Sequence, residues 1–451
     1  MSLRRRFSIG VACGCDLALQ LREVTDACRQ RMRRRAEQPR AAGGTMGIWR
    51  WIRRLGPGLV AGASDNDPTS VATIAVVGST TVYGLSWLFV LLLPVLVTVQ
   101  FVSSRLGAVT GVGLETLIRR RYGRWWAVIA MAQVVVVNVV TLAADLEGGA
   151  ASVSLLTGLD WQWFVLPLTA VIGALTVMGS YDEIERVLRF VLLIFVAYVI
   201  AAFLARPDWG DVLLHTVVPS FPLDGVHITA ALALLGSTLT SYVYFWQTIE
   251  EEEEHPPTSE RKVLEVDAVV GAVLATVVFW FILITTGAAL GVHGMQVQTA
   301  ADAAAALSPL AGPYAAILFA IGLLASAMLA IPVLAATTAY VFAEAFGWRG
   351  SINDPISRQS WRFYTVLAGS LLIGLALTCF GVEPIRLLYI ASIVGGLGTP
   401  VLLALLMLLA TDRRTVGELS LPIVVVVVGW LATAVMGLAS AGFVVVTLFF
   451  S

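Results

Sequence analysis

Charge is scarce in this chain. Only 13% of its 451 residues are Asp, Glu, Lys or Arg, against about a quarter in a soluble domain, while 58% are hydrophobic and mean hydropathy is +0.85. A net charge of −1 leaves no basic field for nucleic acid. Cysteine is rarer still: Cys13, Cys15, Cys28 and Cys379 form no disulfide framework, and Cys13-Gly14-Cys15 lacks the spacer and partner pair of a zinc site. The four histidines (His215, His227, His255, His293) form no ligand cluster. With no histidine pair and no nucleophile–base constellation, an enzyme is excluded and no cofactor is implied. The first 45 residues contain no apolar core followed by a small-residue cleavage site, which argues against a signal peptide.

What the chain has in abundance is apolar runs near 20 residues, each long enough to cross a ~30 Å hydrocarbon core. Eleven spans are expected, at about 56–80, 85–104, 125–156, 162–179, 187–205, 227–249, 266–291, 312–346, 361–381, 384–410 and 421–449. The fold class is therefore all-α integral membrane, with the lipid bilayer as partner. Residues 1–45 read as a basic cytoplasmic extension, either a disordered tail or the product of a start codon placed ahead of Met46; residues 46–451 form the membrane domain. If the N-terminus lies inside, all but Arg206 and Arg386 of the 29 Lys and Arg fall on the inner side. The positive-inside rule then places the protein in the cell membrane with its N-terminus cytoplasmic and its C-terminus outside.

One hydrophobic segment is interrupted by Asp65-Asn66-Asp67-Pro68-Thr69-Ser70. A carboxylate facing lipid costs at least ~3 kcal/mol, so these acids imply a protein-lined cavity. Pro68 removes a backbone donor and clashes with the preceding turn, which predicts a broken helix. Spans 1–5 (about 56–205) and 6–10 (about 227–410) form two groups of five; an odd number inverts the second group, as in LeuT-like 5+5 folds, and span 11 is an addition. Span 6 then corresponds to span 1, and it too carries mid-span polar residues, Gly236-Ser237-Thr238-Leu239-Thr240-Ser241-Tyr242. Polar breaks at matching places of inverted halves point to a substrate site between them.

The chain resembles the Nramp family of proton-coupled divalent-metal transporters. Gly56-Pro57-Gly58 reaches Asp67-Pro68-Thr69-Ser70 at the family's spacing from Gly-Pro-Gly to Asp-Pro-Gly-Asn, and the match continues through Ala72-Thr73, Gly78 and Leu85-Ser86-Trp87. Residues 236–242 stand where the family has Gly-Ala-Thr-Val-Met-Pro-His, and 181–187 are similar to its connection between spans 4 and 5. The resemblance implies a metal site at Asp67, with Ser70 replacing an asparagine ligand, Thr240 replacing a methionine, and backbone carbonyls at Ser64 and Ser237. Tyr242 and Gln247 replace two histidines. In span 3, Leu142 replaces an aspartate of the family's proton route and Asp145 stands at its glutamate.

These departures have a chemical direction. Thioether sulfur favours softer metals, whereas hydroxyl, carboxylate and carbonyl oxygens suit Mg²⁺, Ca²⁺ or Mn²⁺. The shorter Ser70 and Thr240 leave room for an ion that keeps some water, as Mg²⁺ does. The expected function is alternating-access transport of a divalent cation, Mg²⁺ first and Mn²⁺ second, closer to the Nramp-related magnesium branch, with H⁺ as a possible second substrate. The alternatives are an Nramp-type Mn²⁺/Fe²⁺ proton symporter and an organic-solute transporter of the same fold. Each residue also has a plainer reading. Asp67 can cap a helix; Asp65 and Asn66 can be ligands or supports; Ser237 and Thr240 can bond their own backbone; Asp145 and Glu147 can relay protons or form a structural ion pair. The run Glu250–Glu254 reads as a solvated loop or an acidic vestibule.

Overall fold

The computed structural model describes residues 66–178, 197–220, 222, 224–254, 261–348, 350–354, 356–416 and 421–449, and it contains no strand among them. The helices are α1 (Pro68–Thr81), α2 (Trp87–Thr110), α3 (Leu114–Tyr122), α4 (Arg124–Thr157), α5 (Gln162–Met178), α6 (Trp209–Val217), α7 (Gly225–Thr238), α8 (Ser241–Glu254), α9 (Arg261–Ala289), α10 (Ala300–Ala305), α11 (Ala315–Phe346), α12 (Trp361–Thr378), α13 (Pro384–Thr411) and α14 (Ile423–Phe449). Residues 197–204 are also helical. Every expected span contains helix where it is described, and among the described residues eight stretches are long and apolar enough to cross a membrane. Span 1 is described only from Asn66 onward and span 5 only from residue 197. The amphipathic α3 and α6 and the six-residue α10, all between spans, have no counterpart in the hydropathy pattern. The run Glu250–Glu254 is not a loop: it continues α8 as helix.

Helix starts and breaks follow local chemistry. Asp67 is the N-cap of α1, its side chain accepting from the Ser70 N–H, and Pro68 occupies the first turn, where a missing donor costs nothing. Span 6 is broken, as expected. α7 ends at Thr238, Leu239 leaves helical geometry at φ −110° and ψ 43°, and α8 starts at Ser241. Thr399 of α13 donates to the Leu239 carbonyl at 3.1 Å, so one group freed by the break is satisfied from a neighbouring helix.

Glycine brings the site helices close. A Cβ at Gly236 of α7 would lie 2.1 Å from the Ser392 carbonyl of α13, and one at Gly78 of α1 would lie 2.6 Å from the Leu283 carbonyl of α9. Small residues that allow backbones to approach are the usual glue of membrane helices. Peripheral α14 buries only Gly429, Ala432 and Met436, leaving most of its apolar surface exposed, as lipid contact requires.

Candidate functional site

The start of α1 faces the break between α7 and α8. Asp67, 1% exposed, receives two donors: the Ser70 N–H on Oδ1 at 2.6 Å and the Tyr242 hydroxyl on Oδ2 at 3.1 Å. Ser70 Oγ donates to the Ser237 carbonyl at 2.9 Å, which ties α1 to the last turn of α7. The carboxylate is therefore oriented by its own helix and by the first turn of α8 together. Thr73 of α1 shares a hydroxyl–hydroxyl hydrogen bond of 2.6 Å with Ser392 of α13.

A second acid supports the same turn. Asp145 of α4, wholly buried, accepts on Oδ1 from the Thr69 hydroxyl at 2.7 Å and from the Thr69 N–H at 3.1 Å. On the other side, Ser326 of α11 donates to the Asn66 carbonyl. The residue after Glu147, Gly148, packs against Pro68 and Leu388. Four helices thus converge on the segment from Asn66 to Ser70.

Three polar atoms around the start of α1 and the α7–α8 break have no hydrogen-bond partner among the described residues: Thr240 Oγ1, Ser241 Oγ and Asp145 Oδ2. A buried unsatisfied polar atom costs about 1–3 kcal/mol, so such atoms beside a carboxylate are natural addresses for an ion or its water. The donor set is oxygen throughout. No group of three or more His, Cys, Asp or Glu suited to a metal exists among the described residues, so an ion here would rely on hydroxyls and carbonyls around Asp67.

The expected residues divide as follows. Asp67, Ser70, the Ser237 carbonyl and Tyr242 come together through hydrogen bonds of 2.6–3.1 Å. The capping role of Asp67 is realised. The Ser237 hydroxyl bonds its own helix at the Leu234 carbonyl, 3.0 Å away, whereas Thr240 does not use its hydroxyl in that way. Asn66 is buried beside Asp67, and Gln247 is buried five residues beyond Tyr242 along α8. Ser64 and Asp65 lie outside the described residues. The structural ion pair conceived for Asp145 and Glu147 is not formed: Asp145 is held by Thr69, and neither oxygen of Glu147 has a hydrogen-bond partner among the described residues. Thr69, Ser326, Thr73, Ser392 and Thr399 escaped the sequence reading. Only the clustering of hydroxyls near the breaks hinted at them.

The start of α1 thus meets the α7–α8 break at a buried cluster of oxygens, and solved transporters share this fold. A manganese transporter of Eremococcus coleocola superposes with TM-score 0.70 at 18% identity, covering 92% of this chain and 91% of that one. MhsT in complex with L-phenylalanine superposes at 0.60 with 15% identity, covering 85% and 98%. At these identities the likeness shows the fold. Residues 58–446 match the Nramp family, described as natural resistance-associated macrophage protein-like, and the chain belongs to that family. Similar relatives include the divalent metal cation transporters MntH of Deinococcus radiodurans, 29% identical over 88% of this chain and 90% of theirs, and of Bacillus subtilis, 25% identical over 94% and 99%. The protein is a multi-pass transporter, not an enzyme.

Proposed function

We propose that the protein moves a divalent metal cation across the cell membrane by alternating access, the ion resting between α1 and the α7–α8 break. Asp67 would neutralise part of its charge; Ser70, Thr240 and the Ser237 carbonyl would replace part of its water, with Ser64 completing the set. Asn66, Asp65 and Tyr242 would position the ligands. The observation that carries this reading is the Asp67 carboxylate, set at a helix start and joined to the break by the Tyr242 hydroxyl at 3.1 Å. The metal is cargo, not cofactor.

The ion is Mn²⁺ first and Mg²⁺ second in this proposal. The oxygen-only donor set and Thr240 in place of a thioether suit both. The names of the similar MntH proteins and the manganese transporter of like fold move manganese ahead, reversing the order expected from the ligands alone. Acids available for a proton route are Asp145 and Glu147, since Tyr242 and Gln247 occupy the family's histidine positions. The distribution of Lys and Arg supports a cytoplasmic N-terminus and an outer C-terminus.

An organic-solute transporter fits the site poorly. A substrate carboxylate would need free amides at a helix N-terminus. Here the Thr69 N–H is taken by Asp145 and the Ser70 N–H by Asp67. Uptake by the purified protein in liposomes, across Mn²⁺, Mg²⁺, Ca²⁺ and Cd²⁺ and with or without a pH gradient, tests the reading. Mn²⁺ flux that Asp67→Ala abolishes is expected. Flux of Cd²⁺ alone would defeat the ligand argument, and flux of none would defeat the function.

A further inference from the structure

Helix α3 carries a buried carboxyl that the ion site does not use. Gly113 leaves its N-terminus without a side-chain cap, and Glu344 of α11 supplies one, its Oε2 accepting from the Thr116 N–H at 2.8 Å. Any side chain at 113 would collide with that carboxylate. The Leu114 N–H donates to Thr248 Oγ1 of α8 at 3.2 Å, and Arg119 Nη1 donates to the Ala345 carbonyl of α11 at 3.2 Å. α3 therefore fastens the middle of α8 and the C-terminal end of α11. Nearer their N-termini, the same two helices hold the ion site: Tyr242 grips Asp67, and Ser326 grips the Asn66 carbonyl.

Glu115 sits at the centre of this fastening. It is fully buried, and neither carboxyl oxygen has a hydrogen-bond partner among the described residues. Among the described side chains, the charges acting on it are Glu344 of α11 and Arg119 of its own helix; Arg105 of α2, Arg124 of α4 and Asp412 beyond α13 do not. Burial, and then repulsion from Glu344, push its carboxyl up to about 9, with Arg119 opposing. A cavity of about 520 Å³ lined by Thr116, Arg119, Glu344 and Asp354 adjoins the fastening, so a small separation of α3 from α11 would admit water.

We propose that α3 is a proton-linked bolt: parting α8 and α11 from it wets Glu115, whose carboxyl O–H then gives its proton to water, so opening of this face is coupled to deprotonation away from the ion site. The inference rests on the alternating-access reading and adds a gate to it. By linkage, each pH unit between the ordinary carboxyl range and the closed-state value favours opening by up to about tenfold.

Hydrogen exchange of the amides of residues 114–119 in the full-length protein, corrected for the intrinsic effect of pH, tests this between about pH 6 and about pH 9. Protection in the wild type should fall by several-fold to tenfold per pH unit, whereas Glu115→Gln, a neutral isostere, should lose protection little or not at all. Equal pH dependence in the two proteins would overturn the bolt, as would a wild type with none. Asp67→Ala run alongside separates the two readings: it should abolish Mn²⁺ uptake yet keep the pH dependence of exchange. Uptake that survives in Asp67→Ala sinks the ion site and leaves the exchange result to judge the bolt.

Discussion

Asp67 and Glu115 are both carboxyls shut away from water with a second acid nearby, Asp145 and Glu344 respectively, yet the donors around them differ. Asp67 receives a backbone N–H and a phenolic hydroxyl, one on each oxygen. Glu115 receives none and faces another carboxylate. The first is oriented by donors from two helices. The second is stable in place only with its proton on. Burial alone therefore says little about the role of an acid; the donors around it decide.

Removing the Asp67 carboxylate should produce the largest effect. Asp67→Ala should lower Mn²⁺ uptake at least about 100-fold, the equivalent of about 2.7 kcal/mol, with the elution profile of the folded protein unchanged. Taking away one donor is milder: Tyr242→Phe should weaken half-saturation by about tenfold, in the range typical of groups that orient a ligand. Thr240→Met should raise the Cd²⁺ to Mn²⁺ uptake ratio by a comparable factor, because it returns a soft sulfur to the pocket. An unchanged ratio would separate Thr240 from the ion.

The effect on the other carboxyl grows with pH and has a sign of its own. The folded-state value for Glu115 is raised from 4.5 to about 9, so the folded protein keeps a proton that the unfolded chain gives up. Its contribution to stability is complete below the unfolded value and drains away as pH rises through the folded one. Glu115→Gln should thus match the wild type in melting temperature under acid conditions and exceed it increasingly toward about pH 9. A gap that shrinks with rising pH would show that Glu115 is held charged, and the contrast with Asp67 would dissolve.

Much of the candidate site was legible in the sequence. An acid followed by proline inside an apolar segment signals a cap and a first helical turn together, and Asp67-Pro68 forms both. The break of span 6 was legible from its hydroxyls and from its place in the second half. What escaped were contacts between residues far apart in the chain, such as Thr69 with Asp145 or Ser326 with the Asn66 carbonyl. Threonine and serine are common in membrane helices and most bond their own backbone, as Thr73's neighbours Ser79 and Thr80 do at Val76. Nothing local marks the few that reach across. α3 escaped for a different reason: its sequence, with three arginines in the last turn, reads as a charged connection, and only packing against α11 shows that Glu115 is inside.

The claim at the centre is that a divalent cation binds at Asp67, between the start of α1 and the break of span 6. Anomalous diffraction from crystals grown with Mn²⁺ tests it most directly. One peak within bonding distance of an Asp67 carboxylate oxygen, near Thr240 and the Ser237 carbonyl, is the expected result. A protein that takes up Mn²⁺ but shows its peak elsewhere, with the Asp67–Tyr242 contact undisturbed, would contradict the account.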